Sequence, residues 1–258
     1  MSGWEIITIN SGDHDSGSDA TIYASLNTDL GPTEEIELNS VNTSVHNNVF
    51  GRGNFDNFLV NFNVSESSIP ESIVLRSAGN DMWRCLRVYV MERSSGRIYS
   101  TPVETHELEQ SSALLSLSPC KEIDNTPSIT DSKAKDLSIT IKTSSTSGAS
   151  TDDEVYVKVI SKDGISSELI HFEHIGNDWQ AGNTGKYLLT LPREVARIEY
   201  VLLFKKANND WLPESVIVEK TLVDGLYPST KGINVNNIWL NGDDVGRQNY
   251  IELPMDIL

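Results

Sequence analysis

Apolar residues recur at every second position along this chain, with Val, Ile, Tyr and Phe prominent among them. Clusters of Ser, Asn, Gly and Asp break the pattern at short intervals. A period of two fits strands whose side chains point alternately to either face. No long stretch repeats at 3.6 residues, so the sequence predicts an all-β fold. Ile22, Ala24 and Leu26 alternate in this way, as do Val155, Val157 and Val159, and each set is expected to face a core.

The two halves also resemble each other. Ile7-Thr8-Ile9 recurs as Ile139-Thr140-Ile141, an offset of 132. Asp19-Ala20-Thr21-Ile22-Tyr23-Ala24 recurs as Asp152-Asp153-Glu154-Val155-Tyr156-Val157, an offset of 133. Phe50, Gly53, Asn54 and Phe58 meet Trp179, Gly182, Asn183 and Tyr187 at an offset of 129. Asn80, Trp83, Val88, Val90 and Tyr99 meet Asn208, Trp211, Val216, Val218 and Tyr227 at an offset of 128. Register holds within a block and shifts only between blocks. Insertions confined to loops behave so, because a one-residue slip inside a strand would turn its core face outward. The expectation is two antiparallel β-sandwiches in tandem, residues 1–120 and 135–258. They are joined by a polar linker over 121–134 that contains Pro127 and several Ser and Asp residues. Trp83 and Trp211 are expected to plug one end of each sandwich. Gly53 and Gly182 are expected in turns that need positive φ.

The formal net charge of −17 argues against nucleic acid as a partner and against direct attraction to anionic lipid. Bound divalent cations can invert that potential locally, which directs attention to acidic loops. No apolar run approaches the roughly 20 residues of a membrane-spanning helix. Residues 1–5 lack the basic and apolar regions of a secretory signal, so the chain reads as cytoplasmic or as secreted with its signal removed. Cys85 and Cys120 are too few for a disulfide framework, and Cys85, in a probable strand, reads as a buried thiol. His14, His46, His106, His171 and His174 are scattered, and neither a Gly-x-Ser-x-Gly elbow nor a His-Glu-x-x-His motif is present. The reading is therefore non-enzymatic.

The segment Phe50-Gly51-Arg52-Gly53-Asn54-Phe55-Asp56-Asn57-Phe58, with the Trp before the following strand, resembles the signature of the PLAT (LH2) domain family. The second half is similar to the C-terminal membrane-binding domain of clostridial phospholipase C. That similarity is carried by Ala149-Ser150-Thr151-Asp152-Asp153, Lys162-Asp163-Gly164, Gly176-Asn177-Asp178-Trp179, Pro213-Glu214-Ser215-Val216 and Ile238-Trp239-Leu240-Asn241-Gly242. The resemblance implies eight-stranded antiparallel sandwiches that bind calcium and lipid through loops at one end. It also implies domains that sit beside catalytic ones and do no chemistry themselves.

Calcium takes six to eight hard oxygen ligands, and a loop offering several Asp residues around a Gly suits it. The first half has Asp13-His14-Asp15-Ser16-Gly17-Ser18-Asp19. The resemblance implies that Asp15 and Asp19 give carboxylates and Gly17 a carbonyl, with Asp81 and the Met82 carbonyl supplied by a second loop. In the second half Gly148, Ser150 and Asn209 stand where Asp15, Gly17 and Asp81 would be. There Asn209 and Asp210 offer oxygens, Asp152 and Asp153 are candidates for a structural role, and Glu173, Gly176 and Asp178 form a third loop. Asx turns in ordinary loops account for the same Asp residues. Met82, Trp83 and Trp179 are the candidates for membrane contact, since Trp favours the interface of a bilayer. Aromatics at positions repeated in both halves are more often core residues than membrane contacts. The functional expectation is a calcium-assisted membrane- or lipid-binding protein, a targeting subunit or toxin-like factor, whose partner is membrane phospholipid or a protein. The alternatives are a protein–protein adaptor and a lectin-like glycan-binding module.

Overall fold

The computed structural model describes residues 2–13, 15–41, 49–65, 68–120, 134–172, 179–195, 197–206, 209–221, 230–235, 238–241 and 249–255. Among them every regular element is a strand except one short 3₁₀ turn at Leu38–Val41, and no helix is long and apolar enough to cross a membrane. The chain divides into two compact units, with the boundary after Cys120.

The first unit contains β1 (Ser2–Asn10), β2 (Ile22–Thr28), β3 (Gly31–Pro32), β4 (Ile36–Glu37), β5 (Phe55–Phe62) and β6 (Pro70–Ser77). It continues with β7 (Trp83–Glu92), β8 (Ile98–Ser100), β9 (His106–Leu108), β10 (Ser112–Ser116) and β11 (Ser118–Pro119). One sheet runs β11-β8-β7-β1-β5 with β9 against β7, and the other runs β10-β6-β2-β3 with β4 against β2. The second unit contains β12 (Ala134–Thr143), β13 (Val155–Ser161), β14 (Ile170–Phe172) and β15 (Thr184–Val195). It continues with β16 (Ile198–Lys205), β17 (Pro213–Thr221), β18 (Thr230–Asn234) and β19 (Tyr250–Pro254). Its sheets run β15-β12-β17-β18 and β14-β13-β16-β19, eight strands among the described residues. All these pairings are antiparallel. The first unit exceeds eight only through strands of two or three residues on its sheet edges and loops.

Each unit has its own core, filled from the inner faces of both sheets. In the first, Trp4 and Ile6 from one sheet meet Ile22, Ala24, Leu26, Ile73 and Leu75 from the other. In the second, Leu137, Ile139 and Ile141 meet Val155, Val157, Val159, Val201 and Leu203. The two alternating sets named from sequence thus face cores, as their period requires.

One expected alignment is wrong by a residue. Ile139 pairs with Val218 and Tyr187, whereas the residue that pairs with Val90 and Phe58 is Ile6. The true offset in this block is therefore 133, from Ile6 to Ile139, and Ile7 and Ile9 lie on the opposite face of β1 from its core. Run together, Ile6, Ile7, Thr8 and Ile9 are too uniformly apolar for hydropathy to choose the inward set. The linker expected over 121–134 lies outside the described residues except for Ala134, which already opens β12 opposite Val195.

Candidate calcium-binding loop end

The loop between β1 and β2 and the loop between β6 and β7 meet at one end of the first unit. The Asp19 N–H donates to Asp81 Oδ2 at 2.7 Å, and Ser18 Oγ donates to the Asp81 carbonyl at 3.1 Å. The Ala20 N–H closes back on Ser18 Oγ, and the Arg84 N–H donates to the Ser16 carbonyl. Asp15 holds φ at 57°, a left-handed turn conformation that Asp tolerates better than most residues. Gly79 lies so close that a Cβ there would come within 2.8 Å of Ala20 Cβ, so glycine is what permits the two loops to approach. Asp15, Asp19 and Asp81 are exposed and Met82 is half-buried.

Beneath the loops lies a buried polar knot. Asp56 accepts from the Phe50 N–H at 2.8 Å and from Asn10 Nδ2 at 3.0 Å, while Asn10 Oδ1 accepts from the Trp83 indole at 2.9 Å. Phe50 packs on Phe58 and Trp83 at centroid distances of 5.6 and 4.7 Å. Gly53 turns at φ 66°. Nothing local in the sequence marks Asp56 for this role, since its partners lie outside β5.

Several of the main-chain bonds and the indole bond recur in the second unit, although Gly185 stands in place of Asp56 and the carboxylate knot does not. The Ser18 N–H to Phe50 carbonyl bond becomes Thr151 to Trp179. Arg84 to Ser16 becomes Leu212 to Ala149, Ser11 to Arg84 becomes Ser144 to Leu212, and Ala78 to Thr21 becomes Lys206 to Glu154. The Trp211 indole donates to Thr143 Oγ1 as that of Trp83 does to Asn10, and Trp179 packs on Trp211 and Tyr187 as Phe50 does on Trp83 and Phe58. Gly182 turns at φ 80°.

Its acidic residues are differently engaged. Asp153 accepts from the Asn209 N–H at 2.9 Å and from Lys205 Nζ at 2.7 Å. Asp152 accepts from Gln180 Nε2 at 3.3 Å, and Asp210 from Asn241 Nδ2 at 2.7 Å. Lys205 escaped the sequence reading. Its signal was the alternation Val201, Leu203, Lys205, which puts a charge where the core face of a strand continues.

Trp83 and Trp179, expected among the membrane contacts, are fully buried in their cores and cannot present their rings to a bilayer. Met82 is the one of the three not enclosed. His171 is exposed and stacks on Tyr156, and Cys85 is a buried free thiol. His14, His46, His174, Glu173, Gly176, Asp178, Asn208 and Tyr227 lie outside the described residues. Among the described residues no three His, Cys, Asp or Glu side chains converge on one point. The first unit's loops nevertheless offer donors of the right hardness: the Asp15, Asp19 and Asp81 carboxylates and the carbonyls of Gly17 and Met82. A calcium site that uses carbonyls and water does not need three carboxylates.

Residues 137–252, from within β12 to within β19, match the PLAT/LH2 domain family. A phospholipase C of Clostridium novyi is 29% identical across 43% of this chain, and the chain spans 28% of that enzyme's length. Among solved structures, the alpha-toxin of Clostridium absonum is 21% identical with a TM-score of 0.37, covering 50% of this chain and 34% of the toxin. The coral 8R-lipoxygenase, described as calcium-activated through a C2-like domain, is 20% identical with a TM-score of 0.39, covering 49% of this chain and 18% of the enzyme.

Proposed function

We propose that this chain is a non-catalytic, calcium-assisted membrane- and lipid-binding protein built from two copies of a PLAT/LH2-type domain. Support for the pairing comes from the hydrogen bonds that recur between the units at offsets of 133, 129 and 128. Support for lipid as the partner comes from the family match over 137–252 and the clostridial phospholipase C relative.

The observation that carries the calcium reading is the junction of Asp19 with Asp81 in the first unit, which brings two acidic loops to one place. Asp19 and Asp81, with the Gly17 and Met82 carbonyls and water, would hold the ion, and Asp15 would be drawn in as it binds, since no three acidic side chains converge among the described residues. A calcium ion there supplies positive charge that lipid phosphate can share, and Met82 beside it supplies an apolar contact. The chain's own residues do the rest: the Asp19–Asp81 hydrogen bond fixes the spacing of the loops, and the buried Asp56 knot keeps their bases rigid.

The test is co-sedimentation with phosphatidylserine vesicles. Retention in millimolar calcium, lost with chelator and reduced about tenfold or more in Asp15→Ala or Asp81→Ala, is the expected result. Retention indifferent to chelator would mean lipid binding without calcium, no retention in either condition would favour the adaptor reading, and retention on a sugar matrix the lectin.

A further inference from the structure

Beyond the exchange of Asp15, Gly17 and Asp81 for Gly148, Ser150 and Asn209, the loop end of the second unit carries a buried charge pair. In β16, Val201 and Leu203 face the core of the second unit and Lys205 follows on the same face. Its side chain is completely buried, and its ammonium lies 2.7 Å from Asp153 Oδ2. A lysine is fully buried almost only when a partner compensates its charge. Asp153 also takes the Asn209 N–H, so one ammonium–carboxylate pair ties together the loop before β13, the end of β16 and the loop before β17. Those are the loops whose counterparts in the first unit, at Asp19 and Asp81, would be bridged by an ion.

The register identifies the counterparts. Val155 pairs with Lys205 as Ile22 pairs with Ser77, so Ser77 stands where Lys205 does and Ala20 where Asp153 does. Ser77 Oγ is buried and makes no hydrogen bond. Among the described residues, the other acidic side chains named for the second unit, Asp152 and Asp210, each accept from a side-chain amide.

We infer that Lys205 is a resident cation of the second unit, its ammonium on Asp153 joining the loops that a divalent ion would otherwise join. The second unit's loop end is therefore set without metal, and calcium acts on the first unit alone. Only that last clause rests on the calcium reading above.

The test uses the full chain and calcium itself. In hydrogen-exchange mass spectrometry of the unmodified protein, calcium should protect peptides spanning residues 15–20 and 79–83 and leave those spanning 149–155 and 209–212 unchanged. Protection of the latter pair would overturn the inference. If neither pair responds, the calcium reading of the first unit fails while the metal independence of the second stands. Lys205→Ser, which installs the first unit's residue, should lower Tm by roughly 5 °C or more. Millimolar calcium should restore part of that loss, with one more equivalent bound than in the parent. Asp153→Ala/Lys205→Ser, the first unit's own pair, should regain stability without calcium and bind no extra equivalent. A Lys205→Ser protein that calcium fails to restabilise would overturn the inference. If that variant does not fold, the exchange experiment on the parent decides alone.

Discussion

Asp56 and Cys85 show how much a single buried group decides here. Asp56 is fully buried and holds the start of β5 to the end of β1 through the Phe50 amide and Asn10. Asp56→Ala leaves those donors buried without an acceptor, which costs about 2–4 kcal/mol, measurable as a fall in the urea midpoint with little change in slope. Cys85 donates weakly to the Arg87 carbonyl, but burial dominates and pushes its thiol well above the ordinary 9.0. The folded state thus keeps a proton that the unfolded state releases. The contribution is complete below pH 9.0 and is lost as pH rises through and beyond it, at up to ~1.4 kcal/mol per pH unit. Cys85→Ala should flatten the alkaline limb of the stability profile between pH 9 and 11, as followed by denaturant unfolding at each pH.

At the scale of elements, what matters is how loops from different strands are brought together. Gly79 permits the loop before β7 to press on Ala20, because any side chain there would clash with that methyl group. Gly79→Val should push the 15–19 loop away from Asp81, weakening calcium binding about tenfold or more by calorimetry while the cores below keep most of their stability. An unchanged affinity would mean that the two loops do not share an ion. The register of β1 is the other lesson at this scale. With Ile6, Ile7 and Ile9 all apolar, its inward face was not readable locally, and only pairing with β5 and β7 selected Trp4 and Ile6.

For the whole molecule, a net charge of −17 makes any anionic surface repulsive at long range. The vesicle experiment should therefore depend on salt with opposite sign in its two arms. Without calcium, exclusion is strongest at low ionic strength, where the Debye length is about 30 Å at 0.01 M. With calcium, retention weakens as salt rises, because the bridging contact is itself electrostatic. Alternation and punctuation determined the all-β class and the positive-φ turns at Gly53 and Gly182, since period and turn chemistry are local properties of a chain. Ion pairs and enclosure are not local. The meeting of the 15–19 loop with Asp81 was already implied by the family resemblance, whereas tertiary structure alone decided that Trp83 and Trp179 are core rather than surface and that Lys205 crosses to Asp153. Each depends on which strands lie side by side, and residues more than fifty positions apart carry no record in sequence of becoming neighbours.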